Sequence, residues 1–194
     1  VVALSQGSGD AIVTATGGTV SASGADAHGV VAGTTGGDVE VTINTQVIGG
    51  SGTGYAVRTD TAAGRTSTID INSAANIRSA GGLAIFNNGG DSQTTIAAGA
   101  QVAGEIRLGD GSDTVDLATG TDVSNITVLD GGDDTDAGDG SVDQLTLRNQ
   151  TFNDPQNVPT MINWEEINLI DTTLAADDLT AGTVNLDNSS VTLG

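Results

Sequence analysis

The chain has no cysteine, no lysine and very few aromatic residues: one Trp, one Tyr and two Phe among 194 residues. Without cysteine, neither a disulfide nor a thiolate metal site can hold the fold together. A core and a hydrogen-bond ladder must do so. Without aromatics, a wide globular core is hard to fill, because Phe, Tyr and Trp supply much of the buried volume in such cores. A narrow column of Val, Ile, Leu and Ala needs none of them. The missing lysines leave five arginines, Arg58, Arg65, Arg78, Arg107 and Arg148, against 25 acids, for a formal net charge of −20. Nucleic-acid binding needs a basic face, so nucleic acid is excluded as a partner. Adhesion to an anionic membrane is disfavoured for the same reason. No apolar run approaches the ~20 residues of a membrane helix, so no direct membrane insertion is expected. The chain begins at Val1 without Met and with no signal peptide, and is expected to be a processed or cloned fragment of something longer.

What the sequence does have is alternation. Thr95-Ile96-Ala97, Gly104 to Leu108, Thr114 to Leu117, Ile126 to Leu129 and Gln144 to Leu147 are short runs of alternating apolar residues, separated by Gly, Asp, Ser and Asn. Period-two patterning bounded by turn residues predicts half-buried strands, with Ile106, Val115 and Val128 facing the core. Turns containing Gly-Asp recur at Gly90-Asp91, Gly109-Asp110 and Gly132-Asp133. Short strands repeating at roughly 20 residues predict a β-solenoid, in which each coil is buttressed by its neighbours. The whole chain, residues 1–194, is read as one all-β domain. It is expected to be a right-handed, single-stranded parallel β-helix of roughly eight to nine coils, with ~20–23 residues per coil.

Taken in order, the same grammar covers the chain. The pairs Ile12/Val13, Val20/Ala22 and Val30/Val31 recur between Gly-rich corners, as the sides of a three-sided coil would. Val30-Val31, Tyr55-Ala56-Val57 and Leu83-Ala84-Ile85 each follow a Gly and are expected to stack as one side of successive coils. Residues 151–160 break the rhythm. Both prolines, Pro155 and Pro159, fall there. Proline cannot donate to a ladder, so this segment is expected to leave the coil as a loop. Trp164 to Ile170 resumes as strand, Leu174 to Leu179 is expected to be a helical turn or a corner, and Val184 to Leu186 and Val191 to Leu193 end the chain as strands.

Three stretches resemble the passenger region of Gram-negative autotransporters, the type V secretion family. Gly17 to Ala32 (GGTVSASGADAHGVVA) is similar to their G-x-I-x-T-x-G coil with its A-H-G-I end. Ile106 to Leu117 (IRLGDGSDTVDL), followed by Leu129-Asp130-Gly131-Gly132, is similar to their L-G-x-G-x-D-T-L-x-L and D-G-G coils. Asn163 to Leu169 (NWEEINL) is similar to their W-E-x-I-N-L strand. The resemblance implies a β-helix at the bacterial cell surface or secreted from it, exported by a C-terminal outer-membrane barrel that this chain does not contain.

Several features could carry chemistry. Gly109 to Val115 and Gly131 to Asp136 match most of the calcium nonapeptide G-G-x-G-x-D-x-U-x. However, Leu108 replaces a glycine in one copy, Asp134 replaces a glycine in the other, and the copies are not in tandem. Calcium takes six to eight oxygens, which that motif supplies only by stacking. The acidic turns are therefore read chiefly as tight solvated bends, with calcium as the one cofactor the sequence leaves open. Asp116 with Arg107 is a carboxylate–base pair of the kind polysaccharide-acting β-helices use. With 25 acids such pairs arise unavoidably. The lone His28 has no second His or Cys for a metal cage or a triad, and reads as a surface or corner residue. Trp164 reads as core. Thr-x-Thr at Thr14/Thr16, Thr59/Thr61, Thr66/Thr68 and Thr119/Thr121 would suit an ice-binding face only if the spacing were regular, which it is not. No catalytic, cofactor or metal residue is assigned. The function expected is a non-catalytic adhesin or virulence factor that binds a host cell-surface protein or receptor, or itself. The alternatives are a polysaccharide-acting enzyme and a calcium-stabilised structural solenoid.

Overall fold

The computed structural model describes residues 1–132 and 141–194. It is a parallel β-solenoid with three sides per coil. The first side stacks eight strands: the first halves of Ala11–Ser21 and Val39–Gly49, then Thr66–Ile71, Asp91–Ile96, Asp113–Leu117, Gln144–Arg148, Glu166–Ile170 and Thr183–Asp187. The second side takes the other halves of Ala11–Ser21 and Val39–Gly49, then the first parts of Asn76–Asn88 and Gln101–Arg107. Nearer the C-terminus it continues with Thr151–Phe152, Thr173–Ala176 and Ser190–Leu193. The third side stacks seven strands: Val2–Ser5, Val30–Thr34, Val57–Asp60, the ends of Asn76–Asn88 and Gln101–Arg107, Ile126–Asp130 and Thr160–Ile162.

Register shows why these residues make strands. On the first side one inward column runs Val13, Val41, Ile69, Thr94, Val115, Leu145, Ile167, Val184. Two residues on, a second runs Ala15, Ile43, Ile71, Ile96, Leu117, Leu147, Leu169, Leu186. The third side contributes Val30, Val57, Ile85, Ile106, Leu129 and Met161. Apart from the end-coil Val184 and Leu186, these residues are buried. Alternate residues face out, so a single period-two pattern fills a shaft with β-branched and Leu side chains. The expected stack of Val30, Val57 and Ile85 is present.

Corners need backbone that only a few residues tolerate. Gly17 and Gly18, at φ 70° and 69°, turn the chain from the first side to the second. Gly104, at φ 114°, lies so close to the Gly82 carbonyl that a Cβ would overlap it.

Several expectations need correction. Seven strands on the third side and eight on the first make six to seven turns, fewer than eight to nine. The N-terminal coils are longer than expected. Asp10 to Asp38 and Asp38 to Thr66 are one lap each and advance the chain by 28 residues, and the later lap from Thr114 to Gln144 advances it by 30, whereas Asp91 to Ser112 advances it by 21 and Asp171 to Asn188 by 17. Leu174 does not begin a helical turn, because Thr173–Ala176 is a strand with Leu174 and Ala176 buried. The loop is shorter than residues 151–160. Thr151, Phe152 and Thr160 stay in the ladders, and the excursion between them contains a 3-10 turn, Pro155–Asn157, capped by the Asp154 carboxylate accepting from the Gln156 N–H. Val128 does not join the core. A bulge between Ile126 and Val128 turns it half outward, and Leu129 stacks on Ile106 instead.

Candidate interaction face

The third side carries a cluster assembled from distant stretches of the chain. Its outward rows include Val31, Arg58, Phe86 and Arg107, one above another. At the corner that leads into this side, the His28, Tyr55 and Phe86 rings stack. His28 and Tyr55 centroids are 5.9 Å apart with planes at 26°, and Tyr55 and Phe86 are 4.8 Å apart at 19°. Arg58 lies 5.8 Å from the Phe86 ring centre, within reach of a cation–π contact. All are half-buried. The sole histidine, the sole tyrosine, one of the two phenylalanines and two of the five arginines therefore share one patch of a chain otherwise short of all of them.

Hydrogen bonds hold the patch rigid. His28 Nδ1 accepts the Tyr55 backbone N–H at 3.0 Å, which fixes the ring and requires it to be neutral. Burial lowers the His28 pKa, and the nearby Arg58 charge lowers it further. Burial also raises the Tyr55 pKa. Arg58 donates through Nε and Nη2 to the two Asp60 carboxylate oxygens at 3.0 and 2.8 Å, and Asn88 Nδ2 donates to Asp60 Oδ1 at 2.9 Å. Burial alone would raise Asp60. The Arg58 and Asn88 hydrogen bonds and the Arg58 charge outweigh it, and the Asp60 pKa lies below the ordinary carboxylate value. Arg107 bridges Glu105 at 2.6 Å and Asp130 at 2.8 Å, and Asn163 Nδ2 also donates to Asp130 at 2.8 Å.

The other candidates are dispersed. Asp116 is not paired with Arg107. It faces out from the first side and takes a two-pronged contact from Arg148, with Nη2 at 2.8 Å, while Arg107 belongs to the third side. The four Thr-x-Thr pairs share no face: Thr14 and Thr16 are exposed, Thr59 and Thr61 are buried, and Thr121 is buried while Thr119 is not. Trp164 is core at 2% exposure, with Nε1–H donating to the Leu129 carbonyl at 3.0 Å.

The acidic turns have a structural task. Asp10 accepts the Asp38 N–H, Asp38 accepts the Thr66 N–H and Asp91 accepts the Ser112 N–H, each from the next coil. Towards the C-terminus the direction reverses. The carboxylates of Asp113, Asp143 and Glu165 accept the N–H groups of Ser92, Asp113 and Asp143 from the coil before. A corner leaves backbone donors that the ladder cannot reach, and carboxylates satisfy them across the coils. Asp113, the acidic position in the nonapeptide-like Gly109 to Val115, is one of these groups. In the second such copy, Asp133, Asp134, Thr135 and Asp136 lie outside the described residues. Among the described residues no group of three or more His, Asp or Glu side chains is placed to hold a metal ion.

The chain matches no protein-family model, no curated protein sequence and no solved structure. Function must therefore be argued from the patch itself. Sequence reading missed the patch because His28, Tyr55 and Phe86 belong to different coils and meet only once the register is known. The available signal was the pairing of scarcity with recurrence: the rare rings fall near the same phase of three successive coils.

Proposed function

We propose that this chain is a non-catalytic binding solenoid displayed outside a Gram-negative cell, an autotransporter passenger that engages a host cell-surface protein through its third side. The carrying observation is the His28–Tyr55–Phe86 stack with Arg58 against it. Tyr, Phe and Arg are the residue types enriched where protein interfaces concentrate their contacts and binding energy. Two features make this stack suitable. Its rings are already ordered by stacking and by the His28–Tyr55 hydrogen bond, so binding costs little side-chain entropy. Its arginines are already neutralised by Asp60, Glu105 and Asp130, so the partner need not be strongly acidic. Export and surface display rest on the resemblance of Gly17 to Ala32, Ile106 to Leu117 and Asn163 to Leu169 to passenger coils. Non-catalytic action is favoured by the separation of Asp116 from Arg107.

The test is binding of the labelled chain to cultured host cells, compared with Tyr55→Ala and Phe86→Ala. A residue at the centre of an interface contributes about 2 kcal/mol or more, so each variant should bind roughly 30-fold more weakly. Protease treatment of the cells should abolish binding. Folded variants that bind like the parent, or binding that survives protease treatment, would refute the reading. Self-association is separated by sedimentation velocity, where the −20 charge predicts a monomer at low salt.

A further inference from the structure

Beside the ring stack, where the third side meets the first, the surface is notched. The outward row there runs Leu4, Gly33, Asp60, Asn88. Gly33 is the gap in this row. A Cβ built on it would lie 3.3 Å from the Leu4 Cδ2 methyl and 3.3 Å from the Asp60 Cβ, so glycine opens the space between those two side chains. The result is a groove of about 500 Å³ lined by Leu4, Gly33, Thr35, Asp60, Ala62 and Asn88. That volume lies within the range of small-molecule sites.

Its chemistry is mixed in a specific way. Leu4, 67% exposed, and Ala62 supply apolar floor. Asp60 supplies an ionised acceptor fixed by Arg58 and Asn88. Asn88 spends one N–H on Asp60, which leaves the second N–H and the Oδ1 to a ligand. Thr35 adds a hydroxyl. A carboxylate beside an amide accepts and donates to adjacent hydroxyls, while an aliphatic floor covers a C–H face. Pyranose rings present both features. With Asp60 already paired to Arg58 and no unpaired arginine among the described lining residues, the chain's net charge of −20 disfavours uronates, sulfates and phosphates.

The geometry points to a binding site for a neutral saccharide in the groove between Leu4 and Asn88, with Asp60 and Asn88 holding the hydroxyls and Leu4 lying under the ring. This site adjoins the ring stack through the Arg58–Asp60 pair but uses none of its rings, and it stands whether or not a protein docks on the stack. Saturation-transfer NMR with lactose, cellobiose and chitobiose, and trigalacturonate as the anionic probe, tests it. At least one neutral disaccharide should give transfer at millimolar concentration, and trigalacturonate should give none. Gly33→Ala, which fills the notch, and Asn88→Ala, which removes one wall, should each weaken that binding at least tenfold with the circular dichroism spectrum unchanged. Tyr55→Ala should leave it as in the parent. No transfer from any neutral sugar, equal transfer from trigalacturonate, or unchanged affinity in both groove variants would overturn the proposal. If Gly33→Ala fails to fold, Asn88→Ala, at an exposed position, still decides it.

Discussion

Thr94 occupies a place made for an apolar side chain. It sits in the inward column between Ile69 and Val115, is 1% exposed, and its Oγ1 has no hydrogen-bond partner among the described residues. A buried hydroxyl without a partner costs about 1–3 kcal/mol. Valine has the same shape and carries a methyl where the hydroxyl stood. Thr94→Val should therefore stabilise the fold, by about 1–2 kcal/mol once imperfect repacking is subtracted. Thr59 is the control. It is equally buried, but its Oγ1 donates to Asn87 Oδ1 at 2.8 Å. Thr59→Val leaves the Asn87 carbonyl short of a donor inside the shaft, so it should destabilise by about 1–3 kcal/mol. Two chemically identical substitutions should thus move stability in opposite directions. Urea unfolding followed by far-ultraviolet circular dichroism reads both as shifts of the midpoint at constant slope. A Thr94→Val variant less stable than the parent would mean that the hydroxyl is bonded and that the column is not purely apolar in its demands.

Other expectations follow from the same packing. Leu117→Ala, in the middle of a column at 0% exposure, should cost about 3–4 kcal/mol, because neighbouring coils are held by their ladders and cannot collapse into the cavity. Leu186→Ala, 53% exposed in the last coil, should cost well under half as much, and equal losses in chemical denaturation would contradict the columnar core. Asn163, at φ 58° and bonded to Asp130, should lose about 1–3 kcal/mol on replacement by Ala in a melting experiment, whereas Gly should restore the backbone part of that loss. His28 has a lowered pKa, so the unfolded chain takes up its proton first. Its contribution is complete above the ordinary value of 6.5 and falls as the pH drops towards the lowered one, where protonation ends acceptance of the Tyr55 N–H. His28→Gln should flatten that part of the stability–pH profile, and an unchanged profile would place the titration elsewhere.

The architecture was legible in the sequence because each side of a coil is a short period-two run, and Val30, Val57 and Ile85 mark one phase openly. Coil length was less legible. The Gly-Asp pairs at 90, 109 and 132, spaced 19 and 23 residues apart, concealed both the 28-residue laps before them and the 30-residue lap from Thr114 to Gln144. Val128 was misread because a bulge shifts the alternation by one residue, and nothing in Ile126-Thr127-Val128-Leu129 announces it. The turn acids were read as solvent-facing. Some are, but Asp113 and Asp143 are 0% and 1% exposed, a placement that depends on which backbone donors the next coil leaves unfilled. The ring stack and the notch at Gly33 are properties of register, and no single segment contains either.

The lap is 28 residues at Asp10, 21 at Asp91, 30 from Thr114 to Gln144 and 17 at Asp171, while the first-side strands Thr66–Ile71, Glu166–Ile170 and Thr183–Asp187 stay nearly constant in length. Length is therefore gained and lost off the first side: on the third side, which among the described residues has no strand in the last lap, and at the bends. Insertions placed there, such as an epitope tag after Gly64, would lengthen one lap and leave the shaft untouched. A one-residue insertion inside Thr66–Ile71 would instead rotate the rest of that strand from dry to wet. The molecule is a rod whose decoration can drift freely at its edges while its interior keeps strict time.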